Sequence, residues 1–157
     1  MKFSWKTLAF FILIPLAVGG ASALFTMDSM ATFDTVLKPP LSPPGWLFPV
    51  VWTVLYTLMG IASYLVYTSD VPKEQKNKAL WLYGIQLAVN FFWSPIFFNL
   101  QAYLFAFIWL MLLWVLVIAT TVAFWRISTT AGILMLPYFL WVTFAAYLNF
   151  GIYLLNR

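Results

Sequence analysis

Apolar residues dominate five stretches of this chain, each long enough for a helix that crosses a bilayer and each set off from the next by polar or proline-rich segments. The pattern predicts helices over about 5–25, 45–67, 78–98, 103–125 and 130–155. The first follows Lys2 and Lys6 and is interrupted only by Pro15 and the pair Gly19-Gly20. Its basic start, apolar middle and small run Gly20-Ala21-Ser22-Ala23 also fit a cleavable signal peptide, the rival reading of this segment. Pro43 and Pro44 mark the start of the second helix, and Pro49 is expected to bend or loosen its first turns. Pro95 lies near the end of the third. The fourth is almost wholly Leu, Val, Ile, Phe and Trp and is expected to face lipid more than the others do.

The connections differ in kind. Residues 26–44, about nineteen in all, form a longer link than a compact bundle needs, so a functional role as a pocket lid is expected. Thr68 to Asn77, with Asp70, Lys73, Glu74 and Lys76, is the charge-rich loop and must lie in water. The fold class is therefore an all-α membrane protein: one domain over 1–157, a five-helix transmembrane bundle with a long loop between its first two helices.

Composition sharpens this reading. The 157 residues are 64% apolar and 21% aromatic against 8% charged, far below the charge of a soluble domain. Cysteine and histidine are both absent, which excludes disulfides, thiolate and imidazole metal sites and the commonest general base. No metal site is expected. The net charge of +4 arises from scattered cations rather than a basic stripe, so nucleic acid is not expected as a partner. Lys2, Lys6, Lys73, Lys76, Lys78 and Arg126 fall on one side of the predicted topology, with Lys38 and Arg157 on the other. That bias places the N-terminus in the cytoplasm and the 26–44 loop and C-terminus outside.

Helical spacing then gathers candidate binding groups. On the third helix Gln86, Asn90, Trp93 and Phe97 lie within about 60° of arc. Uncharged amides at membrane depth must face the bundle interior, where they serve either a ligand or helix-to-helix contact. Phe48, Trp52, Tyr56 and Gly60 share one face of the second helix, a bulky wall ending at a gap. Tyr138, Trp141, Ala145 and Leu148 share one side of the fifth. Such stripes suit a flat apolar ligand whose rings stack on indoles and whose orientation a few amides fix. Without His or Cys the usual haem ligation is missing, whereas a metal-free tetrapyrrole or a sterol needs none. Lys38 stands at the mouth, where it would meet a propionate or simply snorkel. Trp5, Trp81, Trp114 and Trp125 read as interfacial belts or lipid-facing rings. Opposite the amide stripe, Gly84 and Ala88 form a small-residue pair that suggests the face of a homodimer.

Three motifs, K-P-P-L-S-P-P-G-W-L-F-P-V-V-W-T-V-L-Y-T-L-M-G, Q-L-A-V-N-F-F-W-S-P-I-F-F and L-P-Y-F-L-W-V-T-F-A-A-Y-L-N, strongly resemble the translocator protein family, also called tryptophan-rich sensory proteins. The likeness covers nearly the whole chain. It implies a protein of a bacterial cell membrane with a pocket beneath the first loop that binds porphyrins and similar aromatic molecules, and in mitochondrial members cholesterol. Trp52 and Trp141 correspond to the pocket tryptophans, with Tyr56, Asn90, Trp93, Ala145 and Leu148 as further wall. Ser22, Phe33, Phe48, Gln86 and Tyr138 complete the candidate set. No cofactor is required; porphyrin is the implied ligand. Some bacterial members are described as promoting light-dependent breakdown of protoporphyrin IX, in which Trp52 and Trp141 would be the reacting groups. Leu148, Tyr153 and Arg157 match the family's loose sterol motif. Relatives commonly carry W-Y-D and K-P-x-W in the first loop, where this chain has Thr32-Phe33-Asp34 and Lys38-Pro39-Pro40-Leu41. The leading expectation is a receptor or carrier for porphyrins acting in their transport, sensing or degradation, with a light-driven enzyme and a sterol translocator as alternatives.

Overall fold

Each of the five apolar stretches forms one helix long and apolar enough to cross a membrane. The computed structural model describes residues 2–157. Helix α1 (Trp5–Thr26) is followed by a single 3₁₀ turn and a short α2 (Met30–Phe33), and the remaining long helices are α3 (Leu47–Tyr67), α4 (Lys73–Ser94), α5 (Tyr103–Ile127) and α6 (Thr129–Asn156). The helix ends follow local chemistry. Ser4 caps α1 by accepting from the Thr7 amide, and Ser128 caps α6 by accepting from the Ala131 amide. Pro49 falls in the first turn of α3, where an amide proton has no intrahelical acceptor, so the helix runs unbroken to Tyr67 instead of loosening there. Pro95 widens the end of α4 into a π-type turn, Pro95–Asn99, closed by the Leu100 amide on the Pro95 carbonyl at 3.0 Å.

Packing corrects one expectation. Helix α5 is not the most lipid-facing: it buries Leu110, Leu113, Val117 and Phe124 among others, whereas α1 buries only Pro15, Ser22 and Thr26. Apolarity is the wrong guide because lipid tails and neighbouring helices are equally apolar. What seats α1 is Gly60. A Cβ there would stand 2.5 Å from the Ile12 Cα and 2.8 Å from the Phe11 carbonyl oxygen, so α3 meets α1 backbone to backbone. The gap that ends the α3 aromatic wall is filled by α1. Gly19 reciprocates, its Cα lying against the Tyr56 ring.

Hydrogen bonds tie the segments together at both ends of the bundle. At one end the Ser4 amide donates to the Tyr64 hydroxyl at 3.1 Å, and Lys76 Nζ donates to the Tyr67 carbonyl at 3.2 Å. At the other, the Leu37 amide donates to Asn156 Oδ1 at 3.0 Å while Asn156 Nδ2 donates to the Leu37 carbonyl at 2.7 Å. Trp5, Trp81 and Trp125 are exposed, as belt residues should be. Trp114 is not one of them. Its indole donates to Thr143 Oγ1 at 2.9 Å and so ties α5 to α6.

Candidate functional site

Beneath the link between α1 and α3 lies a cavity of about 370 Å³, within the range of small-molecule sites. Helix periodicity explains its walls. Phe48, Trp52 and Tyr56 recur every fourth residue on α3 and all line it; α4 adds Asn90 and Trp93, and α6 adds Trp141, Ala145 and Leu148. Ser22 of α1 and Phe33 of α2 close the remaining sides. Two indoles set its shape. Trp52 stacks on Tyr56 with centroids 5.4 Å apart, and Trp141 stands perpendicular to Trp52 at 6.5 Å, itself edge-on to Phe48 at 5.9 Å.

Below the cavity runs a closed polar chain. The Tyr56 hydroxyl donates to Asn90 Oδ1 at 3.1 Å, Asn90 Nδ2 donates to the Tyr138 hydroxyl at 2.7 Å, and that hydroxyl donates to Gln86 Oε1 at 2.7 Å. Gln86 Nε2 then reaches the Met59 sulfur at 3.8 Å. Gln86 and Tyr138 are wholly buried and do not line the cavity. The two amides of the α4 stripe thus divide: Asn90 is both wall and helix contact, Gln86 helix contact alone.

Most polar groups facing the cavity are already engaged. The Ser22 hydroxyl donates to the Phe91 carbonyl, the Thr26 hydroxyl to the Ser22 carbonyl, and the Trp93 indole to Asn149 Oδ1 at 3.1 Å. Among the described residues the indole N–H groups of Trp52 and Trp141 have no hydrogen-bond partner. No lining side chain is charged. The cavity therefore offers ring faces and an uncharged lining to an apolar molecule.

Other candidates lie elsewhere. Lys38 does not line the cavity; its Nζ donates to the Phe33 and Val36 carbonyls at 3.1 and 3.3 Å and sits 4.6 Å from the Phe33 ring centre. It holds the ring that does. Leu41 is 81% exposed with φ 69°, so its side chain takes no part in the wall. Of the sterol motif only Leu148 faces the cavity, and Tyr153, about 140° further round α6, and Arg157 do not. Gly84 and Ala88 are exposed on α4, and a Cβ on Gly84 would meet nothing within 4 Å. Asn149, a buried amide at membrane depth outside the predicted α6 stripe, also lines the cavity, and the cost of a polar amide in lipid is the signal that marks it. Gly19 and Gly20, which line the cavity from α1, carry no side-chain signal at all.

A family model described as TspO/MBR matches residues 11–155. The chain belongs to the TspO/MBR family. It is 43% identical over 151 residues to the tryptophan-rich protein TspO of Chlorobaculum tepidum, covering 96% of each chain. It is 40% identical over 138 residues to the protein CrtK of Rhodobacter capsulatus, covering 88% of this chain and 85% of that one. The translocator protein of Ovis aries is 32% identical over 156 residues, with 98% and 92% covered. The TspO/MBR match includes α1 from its second turn onward, and that helix supplies a wall of the cavity. This family member is a multi-pass integral membrane protein.

Proposed function

We propose that this TspO/MBR protein binds porphyrins, protoporphyrin IX among them, in the cavity beneath the lid, and serves their transport, sensing or disposal. The observation that carries the reading is the perpendicular pair Trp52 and Trp141, two indoles that line a cavity without charged side chains. A flat macrocycle can stack on one indole and meet the edge of the other. The test is to titrate protoporphyrin IX into the protein in lipid nanodiscs and follow the quenching of tryptophan emission. Trp52→Phe with Trp141→Phe is expected to weaken binding about tenfold or more, roughly 1.4 kcal/mol. Trp81→Phe, exposed at the far end of α4, serves as the control. A dissociation constant unchanged in the double variant sinks the assignment.

The same reading places the N-terminus in the cytoplasm and the lid outside, supported by the separation of Lys2, Lys6, Lys73, Lys76, Lys78 and Arg126 from Lys38 and Arg157. It also takes the exposed α4 face around Gly84 and Ala88 as the contact between two copies. Because a side chain at Gly84 has open space within the protomer, Gly84→Leu should leave the fold intact and shift the protein toward monomer in analytical ultracentrifugation. An oligomer of wild-type mass would point to another face.

A further inference from the structure

The cavity's walls are unequally covered. Five of its lining residues are exposed: Gly20 and Ala23 on α1, Gly45 just before α3, and Pro49 and Thr53 on the first turns of α3. No lining residue from α2, α4 or α6 is exposed. Above the cavity, by contrast, the lid is pinned. Asn156 holds both backbone groups of Leu37, the Tyr147 hydroxyl donates to the Pro40 carbonyl at 2.7 Å, and Pro39 packs on the bare Cα of Gly151. The opening is therefore on the side of the bundle, between α1 and the start of α3.

Its depth and chemistry suit lipid rather than water. Gly20 and Thr53 each lie about six residues, roughly 9 Å, inside the lid-side ends of their helices. That depth falls within the hydrocarbon of a bilayer whose apolar core is about 30 Å thick. The opening is lined by small groups, and its one hydroxyl, on Thr53, is turned back to the Pro49 carbonyl at 2.7 Å. The crossing at Gly60 and the Gly19–Tyr56 contact close the seam further from the lid, so the gap is confined to this stretch.

We infer that ligands enter and leave the cavity sideways, from the lid-side leaflet of the bilayer, through a portal whose opposing sides are Gly20 and Thr53. The lid stays shut during exchange. The ligands admitted are flat apolar molecules that dissolve in the membrane before they bind, and the smallness of the portal residues sets the size of what passes. The inference rests on the binding reading above.

A Cβ on Gly20 would meet nothing within 4 Å, so a larger side chain projects into the portal without disturbing the bundle. With protoporphyrin IX as probe and full-length protein in nanodiscs, stopped-flow quenching should show Gly20→Leu slowing association and dissociation together, by at least fivefold, with the dissociation constant changing much less. Thr53→Phe, from the opposite side, should act alike. Asn156→Ala, which unties the lid, should leave both rates near wild type. Wild-type rates in Gly20→Leu and Thr53→Phe, or faster exchange in Asn156→Ala, would overturn the portal. A wild-type protein that shows no saturable quenching sinks the binding reading and the portal with it, whereas saturable binding with unaltered rates in the portal variants sinks the portal alone.

Discussion

Gly60→Leu is expected to unseat α1 and to lower stability by about 3 kcal/mol, the upper end of overpacking penalties. The reason is the identity of the neighbours. A side chain at Gly60 would run into the Ile12 Cα and the Phe11 carbonyl oxygen, and backbone cannot rotate out of the way as a flexible side chain does. Relief requires the two helices to part, and with them the Gly19–Tyr56 contact that backs the cavity. Thermal unfolding in detergent, read by loss of monodisperse protein, should show a midpoint lowered by roughly 10 °C. Gly20→Leu, on the same helix pair but facing open space, provides the comparison and should keep the wild-type midpoint. Equal midpoints for Gly60→Leu and wild type would mean that α1 is not held at this crossing.

The second large effect is at Asn90. Replacing it with leucine keeps the bulk but leaves the buried Tyr56 hydroxyl without an acceptor and deprives the Tyr138 hydroxyl of its incoming donor. An orphaned buried polar group costs about 1–3 kcal/mol, and membrane helices sit at the lower end because their alternative partners are also protein. A loss of about 2 kcal/mol is expected for Asn90→Leu, measured by chemical denaturation in mixed micelles. Adding Tyr56→Phe removes one orphan, so the double variant should be less destabilised than the sum of the singles by about 1 kcal/mol. Additive losses would show that the Tyr56–Asn90 contact contributes nothing to the fold. The same chain bears on binding, because Trp52 stacks on the Tyr56 ring and loses its backing when that ring shifts.

The first loop reaches the cavity through few side chains. Met30, Phe33 and Gly45 of the link contribute to the cavity wall, and Lys38 Nζ donates to the Phe33 and Val36 carbonyls while lying 4.6 Å from the Phe33 ring centre. Leu41 is exposed and takes no part in the wall. The pocket therefore depends on the indoles of α3, α4 and α6 more than on the lid.

The sequence by itself determined whatever depends on neighbours within a turn or two of helix. Five apolar runs dictated five spans, because a bilayer demands internally satisfied backbone over a set length. The four-residue recurrence of Phe48, Trp52 and Tyr56 put their rings on one face, and the cost of a polar amide in lipid turned Asn90 inward. Only the tertiary structure decided what depends on which face meets which. Gln86 and Asn90 are indistinguishable in the sequence, yet the position of Tyr138 makes one a buried strut and the other a wall. Gly60 read only as a gap at the end of an aromatic wall and proved to be the seat of α1, since a missing side chain does not say what fills its place. Asn156 holds Leu37 across most of the chain's length, a pairing no local pattern contains. Helix α5 looked lipid-facing and α1 did not, because in a membrane apolarity no longer separates inside from outside and packing alone assigns the faces.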